Sequence, residues 1–384
     1  MIKSICVVTP GFPSKEKPYV YTFVDQLMCA LADKGLEITV ITPYDIIKGK
    51  SIRTRYWERK TPQGNIIKVY SPGELTLSTR KIGPINLSLI SEVLFRRGID
   101  RILNQYDVQP DVLYAHFLFP AGTCAASIGN KMGIPAVCAF GESSLWSIRE
   151  IGLERARRKL SKLEGVIAVS TNNKNVLINK QLVNKEKIVV IPNAVNKKIF
   201  SPGNRSEARE KLGLPQNRVI GIYNGSFTHE KGVLRVNEAS KGIKGLSMVY
   251  LGGGKEDPDG YNVLFKGRVA HNEVPMWLKA ADFFVLPTLE EGCCNAVVEA
   301  MSIGLPVITS DKPFNYDILD HRSAMLVNPL NIREIHDSMK ALTESNELRA
   351  VYGNESLKKS ERLDINTRAE HVLKFLDDVR QRKG

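Results

Sequence analysis

Short apolar, β-branched runs recur along the whole chain, each separated from the next by a stretch long enough for a helix. In the first half they cover residues 4–9, 37–42, 112–116, 136–140, 166–170 and 188–192. In the second half they cover 219–224, 248–251, 263–266, 283–287, 307–310 and 325–327. A strand that returns parallel to its predecessor needs a long crossover, so this alternation predicts βαβ units and parallel sheets. Two such series in succession predict an α/β chain of two doubly wound domains facing each other across a cleft. The segment 192–205, PNAVNKKIFSPGNR, is rich in turn residues and has no apolar period, which marks the boundary. The expected domains are residues 1–198 and 199–365. Beyond them, Val372, Phe375, Leu376 and Val379 fall at helical spacing, so residues 366–384 are expected to cross back onto the first domain as a helix.

A length of 384 residues suits two domains, and 43% hydrophobic with 25% charged residues is the balance of a soluble globular protein. No apolar run approaches the roughly 18 residues of a membrane span. The opening MIKSICVVTP is too short for a secretory signal and reads as a first strand. Six cysteines without a CxxC pair suggest reduced, structural thiols and a cytoplasmic protein. The net charge of +13 is unevenly placed. Residues 1–200 hold 29 Lys/Arg against 16 Asp/Glu, a net +13, whereas residues 201–384 hold 25 of each. Clusters such as Arg53, Arg55, Arg59 and Arg155, Arg157, Arg158, Lys159 imply a positive surface on the first domain. That surface is either merely solvated or meets an anionic membrane or an acidic acceptor. Nucleic acid fits less well, because the basic stretches lack interleaved aromatics and no binding motif is present.

The richest segment is 282–311. A strand ends at Leu286-Pro287, a turn follows through Glu291-Gly292, and Asn295 is placed to cap a helix that Gly304 closes. A helix N-terminus presents unpaired amides and partial positive charge, which suits a diphosphate. Glu291 lies just before those amides. Glu299 lies about 12 Å further along at 1.5 Å per residue, within range of a more distant diol. Two carboxylates flanking a phosphate site suit a sugar–diphosphate–ribose molecule.

Glu291 and Glu299, with seven residues between them in LPTLEEGCCNAVVEAMSIGLPVITSD, resemble the E-x7-E motif of the retaining GT-B glycosyltransferases, family 4. DVLYAHF, PNAVNKKIFSP, GSFTHEKG and LVNPLN fall in that family's order, and the resemblance is strongest over residues 219–329. It implies two Rossmann-like domains and a nucleoside-diphosphate-sugar donor, UDP- or GDP-linked, with no further cofactor and no metal. By the same resemblance Glu291 meets the donor sugar, and the backbone of Gly292, Cys293, Cys294, Asn295 and Ala296 holds sugar and phosphates. Glu299 binds the ribose, and Gly267, Arg268 and Val269 border the base. The acceptor would carry a hydroxyl and be lipid-linked or an anionic glycan. The expected setting is cell-envelope, capsule or exopolysaccharide synthesis at the inner face of the cytoplasmic membrane.

Asn224–Gly232, NGSFTHEKG, brings Gly225 and Lys231 to the tip of the second domain's first strand, where the lysine can neutralise a leaving diphosphate. It is no Walker A loop, since no Ser/Thr follows the lysine in the right place. The family commonly has Arg then Lys here. Lys231 matches, whereas Ser226 stands in the arginine's place. In the first domain Phe140 of CAFGESSLW replaces the usual histidine, which leaves His116 and Glu142 as catalytic candidates. The loop TPGFPSKEKPYVYTFVDQL keeps Gly11 but carries Tyr19 and Tyr21 where a glycine is usual, with Lys15 and Lys17 adding charge, and is expected to shape acceptor binding. Asp257-Pro258-Asp259 has the D-x-D form of a metal site but lies in a turn-rich stretch. Retention would follow a front-face route, in which the leaving phosphate takes the acceptor proton. A nucleotide-sugar epimerase and a non-catalytic nucleotide-sugar-binding subunit are the alternatives on this fold. An NAD-dependent oxidoreductase would need the GxGxxG that the first strand lacks.

Overall fold

The computed structural model describes every residue except 19, 47–54, 76, 78–80, 83, 84 and 384. Tyr19 and Arg53 therefore lie outside the described residues. The chain divides into two compact units, Met1–Ile191 with Asn366–Gly384, and Pro192–Ile365.

Unit 1 is built on an eight-stranded sheet. Its strands are β1 (Ser4–Val8), β2 (Glu37–Ile41), β3 (Tyr56–Lys60), β4 (Ile66–Tyr70), β5 (Val112–His116), β6 (Ala136–Phe140), β7 (Gly165–Ala168) and β8 (Ile188–Val190). The spatial order is β8-β7-β6-β5-β1-β2-β4-β3, with every pairing parallel except β3 against β4. The central strands β5, β6 and β7 are buried along their whole length, as continuous apolar runs require when helices cover both faces. The antiparallel edge strand β3 alternates exposed and half-buried residues instead. Its sequence YWERK is too charged to read as a buried strand, and that is why the apolar runs did not reveal it.

Unit 2 carries six parallel strands: β9 (Val219–Asn224), β10 (Leu246–Leu251), β11 (Val263–Gly267), β12 (Phe283–Leu286), β13 (Val307–Ser310) and β14 (Met325–Val327). Their order is β11-β10-β9-β12-β13-β14. In both units the winding reverses next to the first strand, between β1 and β5 and between β9 and β12. Ligands of open α/β sheets bind at the carboxyl ends of the strands flanking such a point.

The terminal helix, Ile365–Lys383, packs on unit 1. Val372, Leu376 and Val379 are buried, and Gly165 leaves room for it, since a Cβ there would meet Phe375 and Val379. Lys34–Glu370 (2.7 Å), Arg380–Asp111 (2.8 Å) and Lys383–Glu164 (2.6 Å) ring the contact. The division between the units falls at 191/192 instead of 198/199. The reason is a pairing of distant backbone: Val195 N–H donates to Leu363 O and Ile365 N–H to Val195 O, both at 3.0 Å, which ties the linker to the end of unit 2.

All six cysteines are free and buried. Among the described residues no helix is long and apolar enough to cross a membrane. The first basic cluster is less open than its composition suggests, because Arg59 grips buried Asp25 through Nε (2.8 Å) and Nη2 (2.9 Å).

Candidate functional site

The carboxyl ends of β9 and β12 carry the residues of the E-x7-E segment and the NGSFTHEKG loop. The helix Asn295–Ile303 begins one residue earlier than a cap at Asn295 would place it. Cys294 is the capping residue, and no side chain bonds to the first amides. A buried thiol is a poor acceptor, and Asn295 has already entered the helix, one position past the cap. The Asn295 Oδ1 atom is buried without a hydrogen-bond partner. The helix therefore starts with its positive end uncovered by any acid side chain, as anion binding requires. Gly304 closes the helix in the left-handed conformation at φ 85°.

Lys231 Nζ and Glu291 Oε1 form an ion pair, joining the loop after β9 to the loop after β12. Burial opposes the lysine's charge. Glu291, through its charge and its hydrogen bond, outweighs it and holds the ammonium above its ordinary pKa. Burial and then Glu291 push the Cys294 thiol far up, so it stays neutral. Backbone bonds keep the two loops in register: Leu289 N–H donates to Glu230 O (2.8 Å), and Thr288 Oγ1 reaches the same carbonyl (3.3 Å). Arg235 bridges them, donating from Nη1 to His229 O (2.8 Å) and from Nη2 to Pro287 O (3.0 Å).

Glu299 is 7% exposed, not a surface helix residue. Its Oε2 accepts from Asn224 Nδ2 (3.5 Å), and its Oε1 meets His271 Nε2 (3.3 Å). That bond to Glu299, acting against burial, raises the pKa of His271 above the ordinary histidine value. Phe200 stands edge-on to the imidazole with centroids 5.7 Å apart. Asn193 Nδ2 donates to Cys293 O (3.1 Å), fixing the turn before the helix. Neither His271, Asn224 nor Asn193 was singled out from the sequence. The nearest signal was GRVAHNE, in which the histidine follows the predicted base-binding stretch by two residues.

The glycine-rich loops lie alongside. Gly225 N–H donates to Leu251 O (3.0 Å) and Gly252 N–H to Gly267 O (2.8 Å). Gly252, at φ 148°, sits so close to the Gly225 carbonyl that a Cβ would overlap it. Ser226 is exposed, its carbonyl accepting from Tyr223 Oη (2.8 Å). Arg268 is exposed, with Nη2 at 3.5 Å from Gly253 O, and Val269 follows it half-buried. Asp257 of the D-x-D stretch pairs with Lys266 (2.9 Å) on the surface.

The remaining candidates belong to unit 1. His116 ends β5 but is 2% exposed and packed among aromatic rings, Phe117 at 4.9 Å and Phe23 at 5.2 Å. It is a neutral core imidazole and not a group at an open edge, for burial and then Arg368 lower its pKa to about 3. Its Nδ1 has no partner. Glu142 accepts from Leu118 N–H through Oε1 (2.9 Å), while its Oε2 is buried and unpartnered. Burial raises that carboxyl to about 7. Glu142 forms part of the wall of a cavity of about 440 Å³ together with Pro10, Tyr21, Phe117, Phe119 and Trp146. This cavity opens at the switch point of the unit 1 sheet. Phe140, at the end of β6, is buried in the core.

Comparison with known proteins adds the family. Residues 20–198 match the family model for Glycosyltransferase Family 4, and residues 204–359 match Glycosyl transferases group 1. The chain belongs to the group 1, family 4 glycosyltransferases. It is an enzyme of glycosyl transfer with the GT-B fold. TuaC of Bacillus subtilis, named for teichuronic acid biosynthesis, is 27% identical over 353 residues, 86% of this chain and 87% of TuaC. The UDP-Gal:α-D-GlcNAc-diphosphoundecaprenol α-1,3-galactosyltransferase of Escherichia coli is 28% identical, covering 59% of this glycosyltransferase and 64% of that one. Alr3699/HepE of Anabaena, solved with UDP and glucose, superposes with a TM-score of 0.71 at 16% identity, over 98% of this chain and 100% of that one. This last likeness concerns the fold.

Proposed function

We propose that this glycosyltransferase moves a sugar from a nucleoside-diphosphate donor, UDP- or GDP-linked, to an acceptor hydroxyl in polysaccharide synthesis, with retention and without a metal. The observation that carries the reading is the Lys231–Glu291 pair beside the uncovered N-terminus of helix Asn295–Ile303. A diphosphate seated there meets the amides of Gly292 to Ala296 and the lysine. The cation it gains compensates the second phosphate charge as the glycosidic bond breaks. Binding would draw Lys231 toward phosphate and free Glu291 for the sugar hydroxyls. Glu299, already held by Asn224 and His271, would accept from the ribose diol. Gly225, Ser226, Gly267, Arg268 and Val269 would border the nucleoside.

The acceptor would enter the unit 1 cavity. There Tyr21 and Trp146 offer faces for a sugar ring, and Glu142, whose Oε2 is buried without a partner, would turn that oxygen into the cavity to accept from a hydroxyl. His116, being neutral and buried, would act by positioning Phe117. Support for a UDP-linked donor and a lipid-diphosphate acceptor comes from the names of the relatives, and so does an envelope setting.

The test is to incubate the enzyme with a panel of UDP- and GDP-sugars and diphosphoundecaprenol-linked acceptors, and to read the new linkage by NMR. The expected product keeps the donor's anomeric configuration, forms undiminished in EDTA, and vanishes with Glu291→Ala. An inverted product overturns retention, loss in EDTA overturns metal independence, and free epimerised sugar without acceptor overturns transfer.

A further inference from the structure

The 440 Å³ cavity at the switch point of unit 1 differs in character from the chain around it. Residues 1–200 hold 29 Lys/Arg against 16 Asp/Glu, yet no lysine, arginine or histidine lines this cavity. Its walls are four aromatic rings, Tyr21, Phe117, Phe119 and Trp146, with prolines and serines between them, and its single acid is Glu142. Tyr21 and Phe117 pack with centroids 5.0 Å apart, and Trp146 is 56% exposed. Glu142 is fixed twice: Oε1 accepts from Leu118 N–H (2.9 Å), and its backbone carbonyl accepts from Asn173 Nδ2 (3.1 Å). Its Oε2 has no partner. The other titratable groups nearby are neutral. Burial and then Glu142 raise the pKa of Tyr21 and of the Cys138 thiol, and burial keeps the His116 imidazole uncharged. Among the described residues no cation answers this carboxyl.

A second negative charge brought into such a space meets walls that screen it poorly and a carboxylate that repels it. A hydroxyl does the opposite, donating to the carboxylate while ring C–H groups pack on the aromatic faces. We propose that Glu142 makes this site selective for an uncharged acceptor sugar, by repelling one that carries a carboxylate or phosphate on the reacting ring. The proposal rests on the reading that the acceptor enters this cavity. It narrows the anionic glycan expected from composition to an acceptor whose reacting residue is neutral. Selectivity of this kind acts through the rejected partner: the neutral sugar need bind no better, only the charged one worse. It also carries a signature in pH. Burial lifts the Glu142 carboxyl to about 7, so it is charged and repels an anion above that value, and is neutral and tolerant below it.

The experiment measures initial rates of the full-length enzyme with one donor and pairs of alkyl glycosides matched except at C6, glucose with glucuronic acid and galactose with galacturonic acid. The wild type should favour the neutral member by roughly 100-fold in kcat/KM at about pH 8, the scale of a like-charge clash. Glu142→Gln keeps an oxygen for Leu118 N–H and removes the charge, and should narrow that ratio to within about tenfold. In the wild type the ratio should narrow in the same way as pH falls from about 8.5 to about 5.5, where the uronate itself stays ionised. In Glu142→Gln it should stay flat. A merely structural role would lower both rates together and leave the ratio as it was. A uronic acid used as well as its neutral partner by the wild type at about pH 8, or a ratio indifferent to both the substitution and pH, overturns the selectivity. The underlying reading has a separate check: Trp146→Ala should raise the KM for acceptor while nucleotide affinity holds. An unchanged acceptor KM in that variant would mean that the acceptor binds elsewhere, and the reading itself would fall.

Discussion

Lys231 and Glu291 lie 60 positions apart, and the fold brings them into contact at the ends of two neighbouring strands. If the lysine neutralises the leaving diphosphate, Lys231→Ala should lower kcat roughly 10²–10³-fold, the cost of one preorganised charge at a transition state. Initial rates with saturating donor check this. The two glutamates separate by ligand. Glu299→Ala should weaken nucleotide and donor sugar alike, by about 1.5–3 kcal/mol for a lost charged hydrogen bond. Glu291→Ala should weaken only the donor sugar. Calorimetry with the nucleoside diphosphate and with the full donor distinguishes them, and equal responses in both variants would remove the division of roles. His271 provides a pH signature. Its folded pKa is raised by the bond to Glu299, so its contribution to stability is fully present below the ordinary histidine value, about 6.5. That contribution is lost as pH rises through the folded value. The melting temperature of His271→Gln should therefore fall furthest below wild type under mildly acidic conditions and converge with it as pH rises. A difference independent of pH would contradict the Glu299 bond. Glu291, Glu299 and Lys231 could be found in the sequence because each sits in a short local pattern. His271 and Asn224 could not, for they reach Glu299 only through folding, from 28 and 75 positions away.

Every strand of the two large sheets except β3 and β4 was visible as a β-branched run, since burial on both faces demands apolar residues at successive positions. The antiparallel pair β3 and β4 was not. Both expose alternate residues to solvent, and charges such as Glu58, Lys60 and Lys68 there obscure the apolar run. The cap of helix Asn295–Ile303 was placed one residue late for a related reason. Asparagine is a favoured cap, but the turn held by Asn193 on Cys293 decides where helical geometry begins. Loop pairing at this scale rests on Arg235, which satisfies a carbonyl from each of the two loops flanking Lys231 and Glu291. Arg235→Ala should cost about 1–3 kcal/mol by leaving a buried carbonyl unsatisfied. It should raise the KM for donor more than it lowers kcat. Denaturant unfolding with steady-state kinetics checks both, and Arg235→Lys should restore part of each.

At the level of the whole chain, the terminal helix returns to unit 1 after unit 2 is complete. Leu376 is fully buried on its apolar face. Leu376→Ala should destabilise unit 1 by about 2–5 kcal/mol through lost transfer energy and the cavity left behind. Because unit 2 has its own core, nucleotide binding should persist at denaturant concentrations where the unit 1 transition has already moved. Parallel urea titrations followed by circular dichroism and by nucleotide fluorescence would show it. A nucleotide-binding transition that shifts equally would mean that the units unfold together.

The sequence by itself determined the two doubly wound sheets, the returning helix and the acidic pair around a helix start. Each of these is written in spacing along a single stretch of chain, where periodicity and turn chemistry act locally. Only the tertiary structure decided that Glu299 is buried between Asn224 and His271 and that His116 is a neutral core residue. It alone decided that Lys231 meets Glu291 and that the linker after Ile191 pairs with the end of unit 2. Burial and charge pairing depend on which distant residues share a volume. A linear pattern does not carry that information, because the same residue types at the same spacing accept several different neighbours.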